Sequence, residues 1–198
     1  MPRVSVVEQR PDYDRIIELG EAERATRGAD RYVSLPLAAA YHARGCASLS
    51  RAALDSAERD VARALELDPW ARYLVTRGSL CEARGDLTGA LRDYDSAVAA
   101  ARPPPPTPDE VERIHEGLLV EWERYGGDAL EGARALYARG VTRARRGDLV
   151  GARDDLREAK AALACVSRDP RGELPDLRER LERSIAALAR HQPFAKLT

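Results

Sequence analysis

Reactive side chains are sparse in this chain. Its 198 residues include three cysteines, three histidines, one methionine and one phenylalanine, and aromatics make up only 5%. Cys46, Cys81 and Cys165 lie far apart with no CxxC pair and an odd count, which excludes a disulfide framework and leaves reduced, buried thiols as the expectation. His42, His115 and His191 are equally scattered. His115-Glu116 continues as Gly-Leu-Leu, so the second histidine of an HExxH zinc motif is missing. No GxSxG elbow, phosphate loop or GxGxxG segment is present; Gly126, Gly127 and Gly132 have neither that spacing nor a preceding strand. No catalytic residue, metal or cofactor is therefore expected.

Charge of one sign is lacking as well. Thirty-two basic residues face 33 acidic ones for a net charge of -1, without the basic excess that a nucleic-acid footprint needs, and the aromatics are too few for base stacking. No apolar run approaches the roughly 18 residues of a membrane span. The opening MPRVSVVEQRPD has neither the apolar core nor the cleavage site of a signal peptide, so a cytoplasmic protein is expected. The basic residues are 30 Arg to 2 Lys, which points to a GC-rich bacterial gene. Arg also forms stronger bidentate pairs than Lys.

What is abundant is a repeated unit. RGDLTGALRDYDSA at 84–97 returns as RGDLVGARDDLREA at 146–159, and segments 71–97 and 133–159 share 13 of 27 residues. Segment 38–64 matches 71–97 at an offset of 33 with 9 of 27 identities, among them Arg44, Gly45, Ala57, Asp60 and Ala64. A period of 33 to 34 with two helical stretches per unit implies a helical solenoid.

The unit resembles the tetratricopeptide repeat. Its pattern falls on Tyr41, Gly45, Ala57, Val61, Ala64 and Pro69, then on Leu74, Gly78, Ala90, Tyr94 and Ala97, then on Leu136, Gly140, Ala152, Leu156 and Ala159. Arg44, Arg77 and Arg139 replace the usual Leu, and Ser48, Cys81 and Arg143 the usual Tyr. The resemblance implies an all-α, right-handed helical-hairpin solenoid. Gly45 should pack on Ala57 or Ala64, and Gly78 on Ala90 or Ala97. Gly85-Asp86 and Gly147-Asp148 should make the turns, glycine in the left-handed conformation and aspartate at the next helix start.

Helical spacing of apolar residues yields nine helices and no strand within one domain over 1–198. An N-terminal helix fills 12–27 in the segment 12–37. Two repeats cover 38–102, with helices at 35–50, 53–67, 71–84 and 87–101; Ser34 is the expected N-cap of the first, with Pro36 in its first turn. Pro103 to Pro106 form a linker over 103–108. Thr107 caps an acidic helix, 109–125 within segment 109–132, which Gly126-Gly127 end. The third repeat covers 133–166, with helices at 129–146 and 149–166. A capping helix at 174–190, within 173–191, turns Leu177, Leu181, Ile185 and Leu188 to one face.

The extra helix breaks the alternation of a regular stack, and it packs either outside the stack or against 129–146. Residues 109–125 hold six acids and two arginines, while 128–147 hold five arginines and two acids, which favours antiparallel pairing. The rival reading is that Arg139, Arg143, Arg145 and Arg146 receive an acidic partner.

By resemblance, such repeats bind extended peptides or partner helices in the concave groove of their first helices. The matching positions include His42 and Cys46; Arg72, Val75 and Ser79; and Arg134, Tyr137, Val141 and Arg145. Arg there can pair with acidic or carboxylate groups, and Tyr137 can supply contact area. The residues that hold chaperone C-terminal carboxylates in some members are absent apart from Arg134. A non-enzymatic scaffold for another protein or peptide is expected, with no nucleic acid and no membrane. Homo-oligomeric assembly is the alternative, and an enzyme or enzyme subunit the third reading.

Overall fold

A computed structural model describes residues 11–28, 30–101, 121–164, 166 and 172–190, with the backbone alone over 121–128. All regular structure among these residues is helical: α1 (Tyr13–Arg27), α2 (Arg31–Ser50), α3 (Leu54–Leu67), α4 (Ala71–Ala83), α5 (Leu87–Ala101), α6 (Glu121–Arg145), α7 (Leu149–Ala164) and α8 (Leu174–Arg190). Eight helices stand where nine are expected. The Pro-rich linker, the Thr107 cap and most of the acidic helix fall in 102–120, outside the described residues, as do His115, His191 and Cys165.

The described chain forms two compact units that divide between Pro69 and Trp70, where the sequence reading has one domain. In the first, α1 packs on α2 and α2 on α3. Its buried apolar cluster is small, Ile17, Leu37 and Ala40, with Tyr41 and Leu67 against it. In the second, α4 through α8 pack in succession, and α6 also touches α4 and α8. One core there runs from Ala71 to Leu181, with Leu136, Leu156 and Leu163 near its centre.

Inside each hairpin the repeat register sets the packing. The Ala, bulky, Ala series of the second helices is sealed: Ala57, Val61 and Ala64, Ala90, Tyr94 and Ala97, Ala152, Leu156 and Ala159 are all 0–1% exposed. The glycine of each first helix lies over the bulky member. A Cβ on Gly45 would stand 3.0 Å from Val61 and 3.4 Å from the Ala57 carbonyl, and one on Gly140 would stand 3.1 Å from Leu156. Gly78 faces the ring of Tyr94, whose atoms are the three nearest to such a Cβ.

Two expected boundaries shift. α2 starts at Arg31, capped by Asp30, whose carboxylate accepts from the Tyr32 N–H; Ser34 is buried inside the helix, and Pro36 stands beyond its first turn. Asp30 has the cap side chain and no helix-breaking proline next to it, whereas Pro36 had drawn the expected start forward. The helix also does not end at Gly126-Gly127, since α6 continues through both. Two interior glycines cost about 2 kcal/mol in helix propensity, which the buried Leu130, Ala133, Leu136 and Gly140 further along offset. Residues 121–125 therefore extend the axis of 129–145 and cannot lie antiparallel to it.

The turns are built as the Gly-Asp pairs require. Gly85 (φ 83°) and Gly147 (φ 89°) are left-handed, and Asp86 and Asp148 accept from the N–H of Gly89 at 2.8 Å and of Gly151 at 2.9 Å. In the first hairpin the same register holds Ala52-Ala53. Ala52 takes φ 59° despite its Cβ, and Ala53 offers no side-chain cap.

Candidate functional site

Each hairpin carries a buried ion pair at fixed spacing. The arginine that stands at the usual Leu position reaches an aspartate 16 residues on, in the second helix of its own hairpin. Arg44 grips Asp60 at 2.9 and 2.7 Å, Arg77 grips Asp93 at 3.0 and 2.6 Å, and Arg139 grips Asp155 at 3.1 and 2.7 Å. All are two-pronged guanidinium-to-carboxylate contacts, the geometry that Arg provides and Lys does not. The aspartates are 6%, 7% and 2% exposed. A second acid joins two of the three arginines: Asp14 from α1 meets Arg44 at 2.6 Å, and Asp95 from α5 meets Arg139 at 2.8 Å. Hydrogen bonds to Asp60 and Asp93 raise the already high pKa of Arg44 and Arg77, so these cations are permanent. These arginines are paired within the fold.

The same holds for most of the arginine face of α6. Arg143 pairs with Asp155 at 2.9 Å and approaches Asp148 at 3.9 Å, and Arg145 stands 3.5 Å from Glu82. Their partners come from α4, α5, α7 and the turn before α7.

The nine groove candidates divide between the units. His42 and Cys46 belong to α2, one turn apart, with Nε2 and Sγ 3.4 Å from each other. The other seven belong to the second unit. Val75, Ser79, Arg134, Tyr137 and Val141 line one cavity of about 430 Å³ between α4, α6 and α8. Arg145 lies beyond it, at a more apolar hollow of about 320 Å³ that Val141 also borders. Arg72 is engaged in the ion-pair network beside the cavity.

That network is a four-membered cluster. Arg72 donates to Glu131 at 2.8 Å through Nε and reaches Glu173 at 3.3 Å; Arg134 is paired with Glu173 and lies 3.8 Å from Glu131. Glu131 is 3% exposed, in an alanine-rich stretch of α6. Two cations and two anions compensate one another, which is the condition for keeping charge in so dry a place. Arg72 and Arg134 do meet carboxylates, but those of this chain.

Elsewhere the cavity wall mixes hydroxyls with apolar groups. The Tyr94 hydroxyl lies 3.3 Å from Ser79 Oγ, which also bonds to the Val75 carbonyl at 3.1 Å. Burial first, then the charges of Glu82, Cys81 and Asp93, push the Tyr94 hydroxyl up to about 12 against the opposing Ser79 bond, so it stays protonated. Glu82, further along the wall, is held by the buried Thr142 hydroxyl. On the α8 side stand Glu173, Asp176, Leu177 and Arg180. Arg180 lies 5.2 Å over the ring of Tyr137, and the Tyr137 hydroxyl is 3.5 Å from Ser184.

Sequence reasoning missed Tyr94, Glu131, Glu173, Asp176, Leu177 and Arg180 as site residues. Glu131 had a signal, a lone acid among small residues on a face that the Gly-Ala register marks as buried. The α8 residues had none, because nothing local states which neighbour a terminal helix covers. Among the described residues no group of three or more His, Cys, Asp or Glu side chains is placed to hold a metal ion, and no helix is long and apolar enough to cross a membrane. In comparisons with protein-family models and with curated proteins, the chain matches none.

Proposed function

We propose that this chain is a non-enzymatic, tetratricopeptide-like scaffold, a right-handed solenoid of helical hairpins that takes a partner protein or peptide in the groove of its second unit. The observation that carries the reading is the meeting of Val75, Ser79, Arg134, Tyr137 and Val141 around one cavity of about 430 Å³. The resemblance to the tetratricopeptide repeat implies these five positions, and they border a half-apolar cleft of the kind that ligands use. The arginine-rich composition favours a bacterial source, and a cytoplasmic setting is part of the same proposal.

The groove residues suited to a test are those outside the ion-pair cluster. Val75→Asp with Val141→Asp puts two charges on the cavity wall and leaves Arg72, Glu131, Arg134 and Glu173 untouched. A partner captured by the wild-type chain from cell extract and identified by mass spectrometry should be lost from this variant, while the helical circular dichroism is retained. Equal capture by both chains removes the groove reading.

A further inference from the structure

The groove is already partly filled by the chain's own last described helix. Glu173, the residue before α8, sits between Arg72 of α4 and Arg134 of α6. From there Leu174, Leu177 and Leu181 are buried, and Ile185 and Leu188 pack at the edge of the same core. Their spacing of three or four residues makes one apolar stripe on a helix. The contact of Ser184 and Arg180 with Tyr137 continues the line along α6. On the outer side α8 is attached to α7 by Lys160 to Glu182 at 2.6 Å and by Arg178 to the Leu163 carbonyl at 3.1 Å.

The fit is incomplete. The 430 Å³ cavity opens beside the first half of α8 and the 320 Å³ hollow beside its second half, lined by Ser184, Ala187 and Leu188. Both are open clefts at the surface of the second unit that α8 borders without closing. Two of the three α8 residues at the second hollow, Ser184 and Ala187, are small, so a helix with larger side chains at those places would fill more of it.

From this geometry we infer that the natural partner of the groove is an amphipathic helix with a carboxylate just before its first turn, and that α8 is the built-in competitor for that place. The inference rests on the groove reading above and adds the chemical class of the ligand. The two arginines take the leading carboxylate, the wall of Val75, Ala138 and Val141 takes the apolar stripe, and Tyr137 takes a small or cationic residue of the last turns. Attachment through the chain gives α8 an effective concentration of order millimolar for short tethers, so an outside helix competes poorly until α8 is loosened.

The test uses a fluorescent peptide of residues 172–190 and the full chain. Glu173→Arg places a third cation beside Arg72 and Arg134 and releases the start of α8 while leaving the α4 and α6 walls of the groove unchanged. Binding of the peptide to this variant should be at least about tenfold tighter than to wild type, and Tyr137→Ala in the same background should weaken it again. A second measurement covers the case in which Glu173→Arg unfolds. In the wild-type chain, millimolar peptide of heavy-isotope composition should speed hydrogen exchange at the chain's own 174–190 while α4 and α6 stay protected. Equal peptide affinity in wild type and variant, or unchanged exchange at 174–190, overturns the inference and makes α8 a permanent cap. The groove reading itself falls only if Val75→Asp with Val141→Asp retains the partner.

Discussion

The hairpin α2–α3 of the first unit and the hairpins α4–α5 and α6–α7 of the second share one register but are closed by different chemistry. In the second unit the turns use left-handed glycine followed by a capping aspartate. In the first, Ala52 is forced to positive φ and the following helix has no side-chain cap. Cores differ in the same direction: three buried apolar residues cluster in the first unit, while a continuous core joins five helices in the second. The first unit compensates with charge. Arg44 ties Asp60 to Asp14, and Glu21 accepts from Arg63 at 3.0 Å and from Tyr41 at 2.9 Å, joining all three helices. Identical spacing thus specifies which residues face each other, while the strength of each hairpin is set by what stands at those places.

The comparison can be broken most severely at the ion pairs. Asp155→Ala strands Arg139 and Arg143 against a buried site and should cost about 3–5 kcal/mol, the penalty for removing one partner of a buried pair. Asp93→Ala leaves Arg77, whose side chain is 44% exposed, and should cost clearly less in the same urea titration. Equal losses would show that exposure does not grade these pairs. Arg72→Glu together with Arg134→Glu would crowd four carboxylates into the cluster. It should lower the melting temperature by an amount comparable to Asp155→Ala, which is why that double variant cannot report on partner binding alone.

Packing comes next. Gly78→Leu drives bulk into the Tyr94 ring, which is 0% exposed, and should cost about 1–3 kcal/mol by thermal melting. At the turns the signs oppose. Ala52→Gly should stabilise the first unit by about 1 kcal/mol by relieving the left-handed strain, and Gly85→Ala should destabilise the second by a similar amount. Hydrogen exchange in each unit would read both.

The smallest effect is a pH dependence. Burial pushes the Glu21 carboxyl up, but hydrogen bonds from Tyr41 and Arg63 and the charges of Arg63 and Arg24 outweigh it and hold it below the usual glutamate range. A depressed acid contributes stability that is present above its unfolded pKa and is lost as pH falls through the folded one. Acidification below about 4.5 should therefore loosen the α1–α2 contact, and Glu21→Gln should flatten that part of the profile, followed by the exchange of α1 amides.

Much of this architecture was legible. Nine positions of the second helices follow from the offsets of 33 and 62 residues between copies, and the Gly-Asp turns follow from two residue types whose backbone preferences are strong. Other parts were hidden by the way copies are compared. Arg44, Arg77 and Arg139 recur in every copy and look like departures only against the tetratricopeptide pattern, because their explanation, an aspartate 16 residues on, lies within each copy. Gly126-Gly127 read as a stop because propensity is local, whereas the helix is held by packing further along. Within the second unit, the place of Glu173 depends on where α8 lands, and no periodicity encodes that.

Sequence separation also orders how the molecule comes together. The Arg–Asp pairs link residues 16 apart, so each hairpin can close as soon as its second helix has left the ribosome. The cluster of the second unit cannot. Arg72 waits 59 residues for Glu131 and 101 for Glu173. During synthesis α4 therefore spends its first interval with an unmatched cation over an unfinished core, and α6 and α8 relieve it in turn.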